Sequence, residues 1–186
     1  MSVVAVAWQR YLNQLDKRPL KTKAVTAAAL AGLSDLLAQK ISSNAPVNWR
    51  RTCALAIFGL VWSGPSNHYW QKLLERLFKG KRDSGTVLKK VLLDQLTYGP
   101  LCNVLLLSYL SLFVEGRSWT YSKAKVRQTY PNIQMNGWKL WPIASFINYT
   151  YVPLKLRVLF VNCVAFAWST FLIVQAKAAI KRLTAA

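Results

Sequence analysis

The sequence predicts an all-α fold, a multi-pass transmembrane helical bundle with four spans plus short amphipathic interfacial helices. Three observations lead to this fold class. Hydrophobic residues make up 53% of the 186 residues and charged residues only 17%, whereas soluble domains average about 25% charged residues. The apolar residues are collected in segments long enough to span a membrane. The basic and aromatic residues are collected between those segments. We therefore expect a single integral membrane domain over residues 1–186.

Four segments are apolar and nearly free of charge, and their lengths match a lipid bilayer. A helix needs about 20 residues to cross the hydrocarbon core. The predicted spans are residues 23–39, 52–71, 95–114 and 158–176. The first is the shortest and contains Asp35. The alternative is a set of buried helices in a soluble bundle. Such helices should show a polar face at a period of 3.6 residues, and the last two segments have no charged face.

Four shorter stretches are expected at the membrane surface. Residues 140–154 are uncharged but contain Pro142 and Pro153, so we expect an interfacial or re-entrant segment. Three others mix apolar or aromatic residues with basic ones, which is typical of helices that lie in the headgroup layer. These interfacial helices are predicted at residues 4–17, 71–80 and 118–130. Gly80 should end the second of these helices, and Pro131 should end the third. Basic solvated loops are the alternative.

The net charge of +19 is informative about topology. It arises from 25 basic and 6 acidic residues. Fifteen of the basic residues lie before or at the first residue of the first span, between the second and third, or after the fourth, and ten lie in the other two regions. Because basic residues favour the cytosolic side, we expect both termini in the cytosol. The lipid bilayer is the predicted partner and nucleic acid is not.

The sequence contains no recognisable enzyme motif. His68 is the sole histidine, and the three cysteines are about fifty residues apart, so no metal or redox motif is present. We predict no catalytic residue, no metal site and no cofactor. Free cysteines behave as small apolar side chains. We therefore expect Cys53, Cys102 and Cys163 to be buried.

Polar side chains within or beside the spans are the candidate functional residues. A charge inside the membrane is costly and should face the bundle interior. Arg51, Arg157 or a lysine beside a span could pair with the carboxylate of the first span. The polar residues predict either a hydrated path with a gate or hydrogen bonds that hold the helices together. The candidate pore or gate residues are Asp35, Asp94, Gln95, Asn148, Arg157 and Asn162.

Two kinds of packing feature also appear in the spans. Gly-Pro pairs at Gly64-Pro65 and Gly99-Pro100 should kink or break their helices. Ala28 and Gly32 form a small-residue pair that would allow another helix to approach closely.

The order and spacing of many residues resemble the family of the twenty-two-kilodalton peroxisomal membrane protein and its Mpv-type mitochondrial inner-membrane relatives. The resemblance runs from about Trp8 to Trp168. Its opening, YLNQL followed by PLKTK, is most similar to the plant peroxisomal branch. Ser145 stands where the family often has Gln. The matching residues are Tyr11, Leu12, Pro19 to Lys23, Gly32, Asp35, Gln39, Arg50, Arg51, Gly59, Gly64, Pro65, His68, Trp70, Lys90, Asp94, Gln95, Pro100, Trp138, Trp141, Pro142, Asn148, Val152, Pro153, Arg157, Asn162 and Trp168.

The resemblance implies a four-span peroxisomal membrane protein that contributes to permeability for small solutes, most simply as a weakly selective channel. A non-conducting scaffold or biogenesis factor, and a mitochondrial inner-membrane location, are the alternatives. It also implies delivery by the peroxisomal membrane-protein import machinery through internal basic segments. Whether the chain forms a homo-oligomer is left open. The candidate targeting residues are Pro19, Lys21, Lys23, Lys79, Lys81 and Arg82.

Overall fold

The computed structural model describes residues 2–42 and 45–185, with side chains up to residue 174. Within these residues the fold is helical and contains no strand, as the sequence predicts. The α-helices are α1 (Val3–Lys17), α2 (Pro19–Ser42), α3 (Trp49–Phe58), α4 (Gly64–Leu77), α5 (Ser84–Leu93), α6 (Gly99–Tyr109), α7 (Trp119–Gly137), α8 (Trp141–Thr150) and α9 (Arg157–Ala185).

The two Gly-Pro pairs do not break their helices, because a π-helical turn precedes each of them. The turn Gly59–Ser63 joins α3 to α4, and the turn Asp94–Tyr98 joins α5 to α6. In each turn the glycine N–H donates to the carbonyl five residues earlier. Proline has no N–H to donate and its ring crowds the preceding turn. The wider turn relieves that crowding, so residues 49–77 and 84–114 each form one continuous helix. A third π-turn, Leu110–Val114, ends the second of these helices.

Three helices in the described part of the chain are long and apolar enough to cross a membrane. They are Pro19–Ser42, Ser84–Val114 and Arg157–Val174, and most of their residues are not buried inside the bundle. They coincide with the first, third and fourth predicted spans. The second predicted span, residues 52–71, is helical but is not among the three. The polar residues of its second half, including Ser66, Asn67 and His68, lower its hydropathy.

The first long helix, α2, packs against α9, α3 and α4. Its closest contact is with two glycines of the 49–77 helix. A Cβ added at Gly59 would lie 2.8 Å from the carbonyl oxygen of Ala27, and one at Gly64 would lie 2.6 Å from the Cα of Ala24. At Gly32 the nearest atom would be 3.6 Å away, which is ordinary contact. Of the predicted pair, Ala28 therefore takes part in the close approach, since its Cα would lie 2.9 Å from the Cβ added at Gly59, whereas Gly32 does not.

Helix bounds agree with the prediction at one of the segments expected at the membrane surface and differ at the others. Helix α1 covers the predicted 4–17 segment. Residues 71–77 continue α4, so 71–80 is not a separate helix, although Gly80 does end the segment with φ of 69°. Pro131 was expected to stop its helix but lies inside α7, which continues to Gly137. The stretch 140–154 forms α8, with Pro142 in its first turn, where the missing N–H has no partner to lose.

The cysteines are not buried as expected. Cys53 and Cys163 are exposed on their helices, and Cys102 is half-buried. The outer face of a membrane helix contacts lipid, so an apolar thiol is compatible with exposure there.

Candidate functional site

A cavity of about 240 Å³, lined by both polar and apolar side chains, lies inside the bundle. Residues of the 49–77 and 84–114 helices line it together with residues of α7, α8 and α9. Four of the six predicted pore residues line it: Asp94, Gln95, Asn148 and Asn162. Further polar lining residues, which the sequence analysis did not single out, are Ser63, Asn67, Gln71, Tyr98, Asn103, Gln134 and Ser145.

Asp94 is the first residue of its π-turn and is held by uncharged donors. The indole Nε1 of Trp70 donates to its Oδ1 at 2.9 Å. The hydroxyl of Ser145 donates to its Oδ2 at 2.7 Å, and Nε2 of Gln95 lies 3.3 Å from the same oxygen. The three donors come from α4, α8 and the π-turn itself. The carboxylate thus ties three elements together at the cavity wall without an ion pair.

Two buried acceptors in the cavity wall have no partner within the described structure. Gln71 is 2% exposed and Asn148 is 1% exposed, and the side-chain oxygen of each makes no hydrogen bond. The amide nitrogen of Gln71 is used, since it donates to Oδ1 of Asn67 at 3.3 Å. An unmet buried acceptor costs about 1–3 kcal/mol. Water or a polar solute in the cavity would remove that cost, because both can donate hydrogen bonds.

The cavity wall combines polar and apolar side chains. Among the described residues that line it, Asp94 is the single acidic residue and none is basic. The other polar lining groups are amides and hydroxyls, and one pair of amides bonds across α6 and α7, where Asn103 donates to Gln134 at 3.1 Å. Apolar side chains complete the wall: Phe58, Trp62, Leu106, Trp141, Val161 and Ala165. Such a surface suits water and small neutral solutes.

Asp35 does not line the cavity, contrary to its prediction as a pore residue. It lies towards the end of α2, where Nε of Arg51 approaches its Oδ1 at 2.9 Å. Its Oδ2 accepts from the hydroxyl of Thr52 at 2.7 Å and from Nε2 of Gln39 at 2.6 Å. Gln39 also accepts from the N–H of Asn48, at the start of α3. Asp35 therefore fastens α2 to α3, and the predicted pairing with Arg51 is present.

Arg157 also lies outside the cavity and belongs to a charged cluster at the start of α9. Its Nη1 donates to Oε2 of Glu75 at 3.0 Å, and Nζ of Lys90 donates to the same oxygen at 3.2 Å. Both cations are fully buried. Burial raises the pKa of Glu75, but the charges of Arg157 and Lys90 outweigh it and hold the pKa below its ordinary value. The cluster joins α4, α5 and α9 and offers no gate to the cavity.

Comparison with known proteins identifies the family. The chain is 42% identical to the peroxisomal membrane protein PMP22 of Arabidopsis thaliana over 169 residues, which cover 91% of this chain and 89% of that protein. The chain belongs to the Mpv17/PMP22 family. The family profile itself matches residues 112–173. No solved structure matches the chain.

Other members of the Mpv17/PMP22 family carry names from two membranes. Peroxisomal membrane protein 2 of Bos taurus is 32% identical over 183 residues, covering 89% of this chain and 87% of that protein. The mitochondrial inner membrane protein Mpv17 of Rattus norvegicus is 30% identical over 171 residues, covering 89% of this chain and 94% of that protein. These alignments cover about nine tenths of the chain. The chain is thus a helical membrane protein of this family.

The targeting candidates of this family member fall into an exposed set and one buried residue. Pro19, Lys21, Lys79, Lys81 and Arg82 are exposed. Lys23 is 4% exposed, its Nζ lies 3.2 Å from Nδ1 of His68, and it donates to the carbonyl of Leu154 at 3.4 Å. A receptor could not reach this ammonium group in the folded protein. Lys23 is therefore a packing residue between α2 and α4.

Proposed function

We propose that this protein forms a narrow polar path for small solutes through the peroxisomal membrane. The observation that carries the proposal is the cavity inside the bundle, with the unpartnered oxygens of Gln71 and Asn148 in its wall. The names of the Arabidopsis and Bos taurus relatives support the peroxisomal location. The Mpv17 relatives support the mitochondrial inner membrane as the alternative location.

We further propose four spans, with residues 52–71, inside the continuous helix over residues 49–77, as the second. This helix is long enough to cross a bilayer at 1.5 Å per residue. Large apolar side chains on it are exposed, including Ile57, Leu60 and Val61. It packs against α2 along its length and contacts α9 through α4, and both of these helices are candidate spans. With four spans, the distribution of basic residues supports both termini in the cytosol.

The chemistry of the cavity favours neutral and weakly cationic solutes over anions. The wall presents one carboxylate and several amide and hydroxyl groups. The cavity volume corresponds to several water molecules, each of which takes about 30 Å³ in the liquid. We expect polar molecules of a few heavy atoms to pass and larger metabolites to be excluded.

Solute flux into proteoliposomes tests the proposal. The purified full-length chain is reconstituted, and uptake of water, urea, glycerol and sucrose is followed by light scattering after an osmotic step. The expected result is faster uptake of the small solutes than in protein-free vesicles, with sucrose excluded. Uptake equal to that of protein-free vesicles for every solute would contradict the proposal.

The alternative of a non-conducting scaffold has its own support in the structure. Hydrogen bonds join helices outside the cavity, for example between the hydroxyls of Ser34 and Ser169 at 2.6 Å and from Tyr109 to the carbonyl of Ala54 at 2.9 Å. Such bonds suit a rigid bundle whether or not it conducts. Absence of flux together with stable partner proteins on purification would favour the scaffold.

The location is tested separately by imaging. A fluorescent fusion of the full chain is compared with peroxisomal and mitochondrial markers. We expect peroxisomal fluorescence. Replacing Lys79, Lys81 and Arg82 by Gln should weaken it if this exposed turn is read by the import machinery. Unchanged peroxisomal fluorescence in that variant would remove these three residues as a targeting segment.

A further inference from the structure

An open groove of about 650 Å³ lies on the outside of the bundle, between α1, α2 and α9. It forms because α1 folds back along the start of α2. Two contacts fix this arrangement. The hydroxyls of Tyr11 and Thr26 are 3.1 Å apart, and the hydroxyl of Thr22 donates to the carbonyl of Gln14 at 3.0 Å. The groove is therefore formed by the packing of α1 against α2.

The groove has an apolar floor and a basic rim. Apolar groups from Val25, Ala29 and Leu30 of α2 and from Leu159 of α9 form the floor, and the rim carries three cations, Arg10, Arg18 and Lys21. Among the described residues that line the groove, none is acidic.

The positive charge of the rim is not neutralised by the part of the protein that the structure describes. Arg10, Arg18 and Lys21 take no part in its ion pairs. Asp16, the acidic residue of α1, is 3.4 Å from Lys155 instead. A negatively charged ligand would therefore meet three cations that have no competing carboxylate.

The position of the groove identifies the ligand. Helix α2 is a candidate span that begins at Pro19, so Arg18 and Lys21 lie at its polar end and the floor lies along its apolar stretch. Basic side chains at such an interface attract anionic headgroups, and apolar surface beside them accepts acyl chains. We infer that this groove binds one anionic phospholipid, with its headgroup at Arg10, Arg18 and Lys21 and an acyl chain along Val25, Ala29 and Leu30.

This lipid would hold α1 against the membrane surface. It would bridge α1, which supplies Arg10, and α2, which supplies Lys21 and the floor. The inference depends on the membrane placement of α2 and not on the cavity, so it holds whether or not the protein conducts solutes. A failure of solute flux and a failure of lipid binding are thus separate results.

Native mass spectrometry of the full-length protein tests the inference. Delipidated protein in detergent is titrated with phosphatidylserine or phosphatidylcholine of the same acyl chains. We expect one phosphatidylserine per chain, bound about tenfold or more tightly than phosphatidylcholine because three cations face the headgroup. Equal affinity for the two lipids would overturn the inference.

Charge variants test whether the lipid binds to the groove or is attracted by the overall positive charge of the protein. Replacing Arg10, Arg18 and Lys21 together by Gln should abolish the preference for phosphatidylserine. The matched control replaces Lys79, Lys81 and Arg82 by Gln, which removes the same charge from an exposed turn elsewhere, and it should keep the preference. Loss of the preference in both variants would mean that net charge alone attracts the lipid. Retention of the preference in both would mean that the three rim cations do not bind the headgroup. Either result overturns the inference.

A second pair of variants tests the acyl-chain floor without changing charge. Ala29→Phe fills the groove and should weaken phosphatidylserine binding, whereas Leu33→Phe, at an exposed position of α2 outside the groove, should not. Glycerophosphoserine, which has the headgroup but no acyl chains, should compete poorly. Full competition by it, or unchanged binding in Ala29→Phe, would show that no lipid-specific site exists there. Circular dichroism confirms that each variant retains its helices.

Discussion

Acidic side chains are scarce in this protein, and three of the six are used in two different ways. Asp35 forms an ion pair with Arg51. Glu75 forms ion pairs with Arg157 and Lys90. Asp94 is met by the uncharged groups of Trp70, Ser145 and Gln95. Asp94 forms no ion pair among the described residues, and its carboxyl group lines the cavity. This difference separates the structural carboxylates from the one in the proposed path.

Asp35→Ala should destabilise the protein without changing solute selectivity. The substitution removes the shortest hydrogen bond of the Thr52 hydroxyl and of the Gln39 amide, which keep only longer bonds, and it leaves Arg51 without its carboxylate. We expect a loss of about 1–3 kcal/mol. Arg51→Gln is the matched control and should cost less, about 1 kcal/mol at most, because that arginine is half exposed. Thermal unfolding in detergent measures both effects. An altered ion preference in Asp35→Ala proteoliposomes with unchanged stability would contradict this role.

The Glu75 cluster should make stability depend on acid pH. Because the folded protein holds the pKa of Glu75 below its ordinary value near 4.5, the charged carboxylate stabilises the fold above that value. This stabilisation is lost as the pH falls through the lower pKa of the folded state. Glu75→Gln should be less stable at pH 7 and should lose less stability on acidification than the wild type. Parallel pH profiles of the melting temperature for the two proteins would argue against the cluster.

Sequence reasoning found part of the site and missed the rest for identifiable reasons. Asp94, Gln95, Asn148 and Asn162 were found because polar groups are conspicuous in apolar segments. Asp35 was wrongly placed with them, because its distance from the cavity depends on how α2 packs. The missed Ser145 lies three residues before Asn148 on α8, so their spacing does place both on one helical face.

At the level of the helices, glycine decides how closely two of them approach. Because Gly59 and Gly64 have no side chain, the backbone of α2 packs directly against them at Ala27 and Ala24. The two glycines are five residues apart, across the π-turn Gly59–Ser63. In a bilayer, helix association depends on close packing of small residues.

Gly64→Ala should destabilise the bundle, whereas Gly32→Ala should not. The new methyl group at residue 64 would lie 2.6 Å from a backbone atom of Ala24, so the helices must move apart. Such overpacking costs about 1–3 kcal/mol. At residue 32 the nearest atom is 3.6 Å away, and replacing glycine by alanine in a helix gains up to about 1 kcal/mol. Melting temperatures in detergent compare the two variants, and equal losses would contradict the close approach at Gly64.

The helix positions followed from the sequence better than the helix ends did. Apolar stretches fixed the long helices, because a run of some 20 apolar residues has few alternatives in a membrane. The local rule that proline ends a helix failed at Pro65 and Pro100, where π-turns absorb the crowding, and at Pro131 inside α7. Contacts with neighbouring helices stabilise these segments. The proline rule fails here because it considers only adjacent residues and not these contacts.

At the level of the whole molecule, the fold combines apolar outer faces with an internal cavity that collects many polar side chains. The three candidate spans expose apolar side chains outward, while the amide and hydroxyl groups of five helical segments meet in the cavity. A small apolar core of Leu74, Val87, Val91 and Tyr149 lies beside this cavity. The arrangement as a whole accounts for the low content of charged residues, because lipid covers the outside and the cavity needs hydrogen-bonding groups more than charges.

The proposed path is tested by filling the cavity at one position and comparing a neighbour. Ala165 lines the cavity, and Ala167, two residues further along α9, is exposed and does not line it. Ala165→Phe removes cavity volume without removing a hydrogen-bonding group. In proteoliposomes with equal amounts of folded protein, the Ala165→Phe variant should show glycerol and urea uptake reduced several-fold, while Ala167→Phe should match the wild type. Equal uptake by all three proteins would show that solutes do not pass through this cavity.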